Sequence, residues 1–380
     1  MSNQAYMSAA ATPARTLTVV QLIPALHSGG AERSALEVAR ALVQAGHRSV
    51  VVSAGGRLVA QLEAEGSEHV ALDIGRKSLR TLGRVGALRA LLRELKPDIV
   101  HARSRLPGWL GWWAMRGLAP RPHFVTTVHG LNSPGRYSSI LLRGERVMVV
   151  SQTLRDYVLS HYPWLDPARV RVIPRGIDPA AFPYGHRPDD AWQKAFFADY
   201  PALAGAPLLT LPARGTRLKG HHDAIELVAA LKHRGIGTRL LLLGAVEPGR
   251  EAYAEELREL ARRCEVMSQV VLAPARSDVR DIYAISALVL QLSNKPESFG
   301  RTVVEALSLC RPVLGYAHGG VGELLAELYP AGRVPPGDRE RLVERAAELL
   351  RVAPPIPPLQ NYRLADMQAA VLALYEEVAG

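Results

Sequence analysis

The chain has 380 residues, 48% of them hydrophobic, with 46 Lys and Arg against 36 Asp and Glu, a formal net charge of +10 and a pI near 9.8. That is enough chain for two domains with ordinary cores. The two cysteines, Cys264 and Cys310, exclude a disulfide framework or a Cys-x2-Cys metal site and point to a reducing compartment, the cytoplasm. Neither a charged leader with an apolar segment behind it nor an apolar run of roughly 18 residues occurs, which excludes a visible secretion signal and a membrane span. The positive balance leaves room for an anionic partner: nucleic acid, acidic lipid or a phosphorylated small molecule.

Residues 1–15 are polar and Ala-rich and are expected to be a disordered tail. Leu17 to Pro24 reads as a buried strand; His27-Ser28-Gly29-Gly30-Ala31-Glu32 then turns into a helix whose apolar residues Leu36, Val38, Ala39, Leu42 and Val43 face a core. Two glycines at a helix start let backbone amides approach a phosphate, although the full Gly-x-Gly-x-x-Gly fingerprint is missing. Strands at Arg48–Val52, His69–Leu72, Asp98–His101 and Phe124–Val128 alternate with helices at Leu58–Glu65, Leu79–Leu95 and Leu106–Met115. This alternation predicts a parallel, doubly wound sheet. His129-Gly130 ends the Phe124–Val128 strand on the ligand edge of such a sheet, where a lone histidine is ordinarily structural.

Between Arg76 and Arg105 nine basic residues (Arg76, Lys77, Arg80, Arg84, Arg89, Arg93, Lys96, Arg103, Arg105) stand against Glu94 and Asp98, so +7 of the +10 falls in this segment. Arg76, Lys77, Arg80 and Arg84 recur at helical spacing. They predict either a solvated basic face or docking on an anionic membrane, at about 1 kcal/mol per basic residue. Trp109, Trp112 and Trp113 follow on one helix side and are either core or the path of an amphiphilic acceptor. Val147–Ser151 and Val170–Pro174 read as the last strands of a first domain, 16–183, with Arg175 after them. Residues 184–206 are expected to be a linker with a short helix near Ala191–Phe197.

The second domain, 207–355, opens with the strand Leu208–Leu211 and the loop Pro212-Ala213-Arg214-Gly215-Thr216-Arg217-Leu218-Lys219-Gly220-His221. Arg214 and Lys219, five apart at a strand's ligand edge, are placed to neutralise a diphosphate. Further strands are expected at Arg239–Leu243, Val270–Leu272 and Ala287–Leu292. The last leads into Asn294-Lys295-Pro296-Glu297-Ser298-Phe299-Gly300-Arg301-Thr302-Val303-Val304-Glu305-Ala306-Leu307. Glu297 thus sits at a strand's carboxyl end and Glu305 inside the next helix, with the amides of Ser298, Phe299 and Gly300 at its N-terminus able to hold an anion or an oxygen-rich ligand. A stiff Ala-Pro-Pro-Ile-Pro-Pro spacer precedes the amphipathic helix Met367–Val378, in the segment 356–380.

Glu297-x7-Glu305 with Phe-Gly after the first glutamate, then Arg311-Pro312-Val313 and His318-Gly319-Gly320-Val321-Gly322-Glu323, resembles the donor-binding signature of the retaining GT-B glycosyltransferases. That large family includes the mannosyl- and glucosyltransferases of bacterial envelope polysaccharides, and the resemblance covers nearly the whole chain. It implies two Rossmann-like domains facing each other across a cleft, with the C-terminal helix returning to the first. It also implies transfer of a sugar from a nucleotide-sugar donor, a UDP-sugar being favoured, to a glycan or lipid-linked acceptor, as in lipopolysaccharide synthesis. By the same resemblance Glu305 would hold the ribose hydroxyls, Arg214 and Lys219 the diphosphate, and Glu297 with the Phe299 and Gly300 amides the sugar hydroxyls, with Ser298 and Arg301 also in the donor site. His129 would meet the sugar from the first domain, and the Gly29–Gly30 turn would sit opposite the donor diphosphate and beside the acceptor. The chain departs from the family at Arg175, where Asn is usual, and at Cys310, where Gly is usual.

No Asp-x-Asp occurs, so no metal cofactor is expected and the leaving charge falls to protein donors. A sugar phosphorylase or a GT-B epimerase would keep the same fold and phosphate loop. A basic nucleic-acid-binding protein would explain the charge but leave the two glutamates idle, so nucleic acid is not the expected partner.

Overall fold

A computed structural model describes residues 15–27, 29–76, 78, 81 and 83–380. The chain divides into two compact units: the first takes the residues up to Val150 with 155–174 and 365–380, the second 151–154 and 175–364. The expected tail, 1–15, lies outside the described residues apart from Arg15, whose guanidinium contacts Asp98.

The first unit is built on a seven-stranded parallel sheet: β1 Thr18–Leu22, β2 Arg48–Ser53, β3 Glu68–Ala71, β4 Ile99–Ala102, β5 His123–Val128, β6 Arg146–Val149 and β7 Val170–Val172, in the order β3-β2-β1-β4-β5-β6-β7. The crossovers contain α1 Gly30–Gln44, α2 Val59–Ala64, α3 Arg84–Leu95, α4 Arg105–Ala114 and α5 Gln152–His161. Helices covering a parallel sheet make its central strands apolar in continuous runs, and Val50, Val51 and Val52 are fully buried accordingly.

The second unit has a six-stranded parallel sheet: β8 Leu208–Pro212, β9 Arg239–Val246, β10 Val270–Pro274, β11 Leu288–Gln291, β12 Val313–Tyr316 and β13 Arg333–Val334, in the order β10-β9-β8-β11-β12-β13. Its helices are α6 Asp190–Asp199, α7 His221–His233, α8 Glu251–Arg263, α9 Val279–Ile285, α10 Arg301–Ser308, α11 Gly319–Leu328 and α12 Arg339–Arg351. The residues expected to be a linker belong to this unit. Phe196 of α6 and Leu203 are buried against Leu208, Leu241, Leu243 and Ala273, because four aromatics from Trp192 to Tyr200 give the segment an apolar side of its own.

The last helix, α13 Leu364–Ala379, completes the first unit. It buries Met367, Val371, Leu374 and Tyr375. Tyr375 Oη lies 2.6 Å from His101 Nδ1, and His101 Nε2 lies 2.7 Å from Thr127 Oγ1. Gln368 Nε2 donates to the carbonyl of Glu37 at 2.8 Å.

The strand order of each sheet reverses at its centre, between β1 and β4 and between β8 and β11. Ligands of open α/β sheets bind at the strand ends flanking such a reversal. Gly29, Gly30, Arg103 and Arg105 follow the central pair of the first sheet; Arg214, Lys219 and Glu297 follow that of the second.

Candidate functional site

In the second unit the loop after β8 and the loop after β11 lie together. Lys219 Nζ donates to Glu297 Oε1 at 2.7 Å, with both side chains about a quarter exposed. Ser293 Oγ also donates to Glu297 Oε1 and lies 3.3 Å from Gln291 Oε1. The amide of Asn294 donates to the carbonyl of Leu218 at 3.0 Å and its side chain to that of Arg217 at 3.0 Å, joining the loops through their backbones. The approach is close enough that a Cβ on Gly220, at φ +75°, would stand 1.9 Å from the carbonyl oxygen of Leu292. Only glycine fits there.

The other side of the Glu297 loop rests on Gly319 and Gly320. The amide of Gly320 donates to the carbonyl of Glu297 at 2.7 Å, and a Cβ on Gly320 would lie 2.5 Å from Phe299 Cα. His318 Nε2 meets the carbonyl of Ser293 at 2.7 Å. Glu297 is thus held between two glycine turns and the start of α10. Gly300 caps that helix at φ +102°. One turn further on, Glu305 is buried and accepts from Arg301 Nε at 3.2 Å. Arg214 is exposed and makes no ion pair among the described residues, so its charge is available to an anion.

Beneath the loop after β8 the ring of His221 is fully buried, with Tyr253 Oη 3.3 Å from its Nδ1. Burial pushes its pKa down to about 4, so at neutral pH it is an uncharged prop.

In the first unit His129 and Gly130 line a pocket of about 340 Å³ with Glu32, Arg103, Arg105 and Asn132. Gly29 is the N-cap of α1, extended at φ −79°, and Gly30 has open space where a Cβ would stand. Arg103 is buried; its Nε donates to Gln21 Oε1 at 2.5 Å and its Nη1 to Ser34 Oγ at 3.3 Å, and burial lowers its pKa. In the sequence Arg103 is one member of a basic run, and nothing beside it there marks it as buried.

Of the four basic residues expected on one helical face, the described two, Arg76 and Arg84, do not share a helix. Arg76 precedes α3, in a bend where the Asp73 carboxylate accepts from the amides of Gly75 and Arg76 at 3.2 and 3.1 Å. An aspartate three residues upstream makes a local turn compete with the helix. Arg84 opens α3 and is exposed; Lys77 and Arg80 lie outside the described residues. Among the described residues no helix is long and apolar enough to cross a membrane.

The sequence matches two family models, Glycosyltransferase Family 4 over residues 28–181 and Glycosyl transferases group 1 over residues 193–356. It is 29% identical over 248 residues to the D-inositol 3-phosphate glycosyltransferase of Xylanimonas cellulosilytica, a match covering 59% of this chain and 56% of that relative. The chain thus spans little more than half the length of that curated relative. Among solved structures, a glycosyltransferase from Rickettsia africae superposes with a TM-score of 0.84 at 26% identity, over 96% of this chain and 98% of the other. Anabaena Alr3699/HepE, solved in complex with UDP-glucose, superposes with a TM-score of 0.78 at 18% identity, over 95% and 100%.

Proposed function

Since the two family models between them span most of the chain and the fold is GT-B, the chain belongs to the GT-B glycosyltransferases, and we propose that it moves a sugar, with retention of configuration, from a UDP-sugar to a glycan or lipid-linked acceptor of the bacterial envelope, of the lipopolysaccharide kind. The observation that carries this reading is the convergence of Lys219 and Glu297, 2.7 Å apart, on the N-terminal side of α10 with Glu305 buried one turn inside. That arrangement offers a cation and helix-start amides to a diphosphate and two carboxylates to hydroxyl groups.

In this reading Arg214 and Lys219 neutralise the diphosphate, Glu305 holds the ribose hydroxyls, and Glu297 with Ser298, Phe299, Gly300 and Arg301 orients the sugar. The first unit contributes His129 and the Gly29–Gly30 turn, and its pocket is assigned to the acceptor. As the anomeric carbon–oxygen bond to the diphosphate breaks, the acceptor oxygen bonds that carbon. Its proton passes to the departing phosphate, so no separate base is required. Charge developing on the leaving group is met by Arg214, Lys219 and the helix start, without a metal ion. The enzyme works in the cytoplasm or at the inner face of the membrane.

The test is a thermal-shift screen against nucleotide sugars, followed by product analysis with a sugar acceptor or with free phosphate. A shift with a UDP-sugar, and transfer that survives EDTA, is the expected result. Phosphorolysis in place of transfer, or activity lost to EDTA and restored by magnesium, would overturn it.

A further inference from the structure

Between Asp98 and Glu145 the chain has no Asp or Glu but six Arg and three Trp. In the first unit this segment builds a connected surface. The Arg121 guanidinium lies over the Trp112 ring at 4.7 Å, and that of Arg143 lies 5.9 Å from the rings of both Trp112 and Trp109. Trp109 packs on Trp113 with ring centroids 5.3 Å apart and donates Nε1–H to the carbonyl of Tyr137 at 3.0 Å. Tyr137 is 40% exposed and carries Arg105 over its ring at 5.2 Å. The three tryptophans are half-buried, neither core nor free, while Arg116, Arg121, Arg136 and Arg143 are exposed. The nearest carboxylate in sequence, Glu145, is engaged by His123 Nδ1 at 2.8 Å.

We propose that the surface made by Trp109, Trp112, Trp113, Tyr137, Arg121 and Arg143 docks this protein on an anionic lipid bilayer. Indole and phenol rings with one apolar side and one polar handle settle at the headgroup level of a bilayer. Guanidinium groups beside such rings present a fork of donors matched to lipid phosphates. A nucleic acid would instead need open aromatic faces for its bases to stack on. Here guanidinium groups lie over the Trp112 and Trp109 rings. The inference deepens the reading of a lipid-linked acceptor and places the contact on α4 and the loop behind it, not on the Arg76–Arg84 segment. Arg89 of α3, bonded to the carbonyls of Trp113 and Ala114 at 3.0 and 3.1 Å, fixes α4 in place.

The experiment is sedimentation of the full chain with vesicles of phosphatidylcholine alone or mixed with phosphatidylglycerol, read alongside tryptophan emission, since three of the five tryptophans lie in this surface. Binding to the mixed vesicles, weakening from low to physiological salt, with blue-shifted emission quenched by brominated lipid, is the expected outcome. Each arginine near an anionic surface strengthens partitioning about fivefold, so Arg121→Ser with Arg143→Ser should weaken it roughly thirtyfold. The melting temperature and nucleotide-sugar binding of that variant should be unchanged. Equal binding to both vesicle types would overturn the proposal. So would loss of binding on Arg84→Ser with indifference to Arg121 and Arg143, or displacement of vesicles by single-stranded RNA. The assay needs no turnover, so its failure leaves the proposed transfer standing.

Discussion

At the scale of single residues, Lys219 and Glu297 form an ion pair at 2.7 Å, so the diphosphate proposed to bind Lys219 would have to compete with a carboxylate. Lys219→Ala should lower turnover about a hundredfold or more through lost stabilisation of the leaving charge. A partly exposed pair contributes about 1 kcal/mol at most to stability, so the melting temperature should hardly move; unchanged turnover would remove Lys219 from the mechanism. Glu297→Gln separates the partners. It should tighten binding of UDP alone, because Lys219 is released, while slowing transfer, and weaker UDP binding by titration calorimetry would contradict the exchange. Cys310 is a residue-scale departure with a local cause. It follows α10 at φ +60°, with its amide bonded to the carbonyl of Leu307 and that of Arg311 to Ala306, the pattern in which a helix ends on a left-handed residue. Glycine occupies that conformation without strain, so Cys310→Gly should raise stability by about 1 kcal/mol in denaturant unfolding, and a loss of that size would show that the contact of Sγ with Tyr184 Oη at 3.4 Å outweighs the strain.

The elements place these residues by backbone contact more than by side-chain bonding. Gly320→Ala introduces a methyl 2.5 Å from Phe299 Cα and so must move the Glu297 loop; a displacement of about 1 Å costs on the order of a hundredfold in rate. The variant should lose turnover although no charged group has been altered, and an active Gly320→Ala enzyme would show that the loop position is not critical. The loop after β8 rests on His221, whose folded pKa of about 4 lies below its ordinary 6.5. The unfolded chain therefore binds a proton in that interval and the folded one does not, so stability is full above about 6.5 and falls as pH drops towards 4, by about 3 kcal/mol in all. His221→Gln should flatten the melting temperature between those limits, and parallel curves for variant and parent would assign the acid sensitivity elsewhere. How far the sequence revealed this arrangement follows from the same physics. Central strands such as Arg48–Ser53 and Leu208–Pro212 were legible because burial on both faces demands an unbroken apolar run. The positions of Glu297 and Lys219 were legible because both lie in loops that follow such strands. The parts of Ser293 and His318 were not, since the first depends on how a loop folds its hydroxyl onto Glu297 and the second on a backbone carbonyl 25 positions away. The helix at Asp190–Asp199 was visible but its place in the second unit was not, because Phe196 meets Leu241 and Ala273 only in the fold.

For the whole molecule, the consequential feature is the chain path of the first unit, which draws α13 from residues distant in sequence. His101, fully buried, finds Tyr375 Oη there, 274 positions away. A fragment of residues 15–174 should be poorly folded, and adding residues 364–380 as a separate peptide should restore its cooperative unfolding; a fragment that melts cooperatively alone would sink this expectation. During synthesis, at about 5–20 residues per second, the strands of this unit emerge roughly 200 residues before α13, whose Tyr375 meets His101. For some ten to forty seconds, therefore, the nascent chain carries an open apolar and polar face with no partner of its own. Its yield in a cell should therefore depend on chaperones that act on the ribosome more than its final stability suggests.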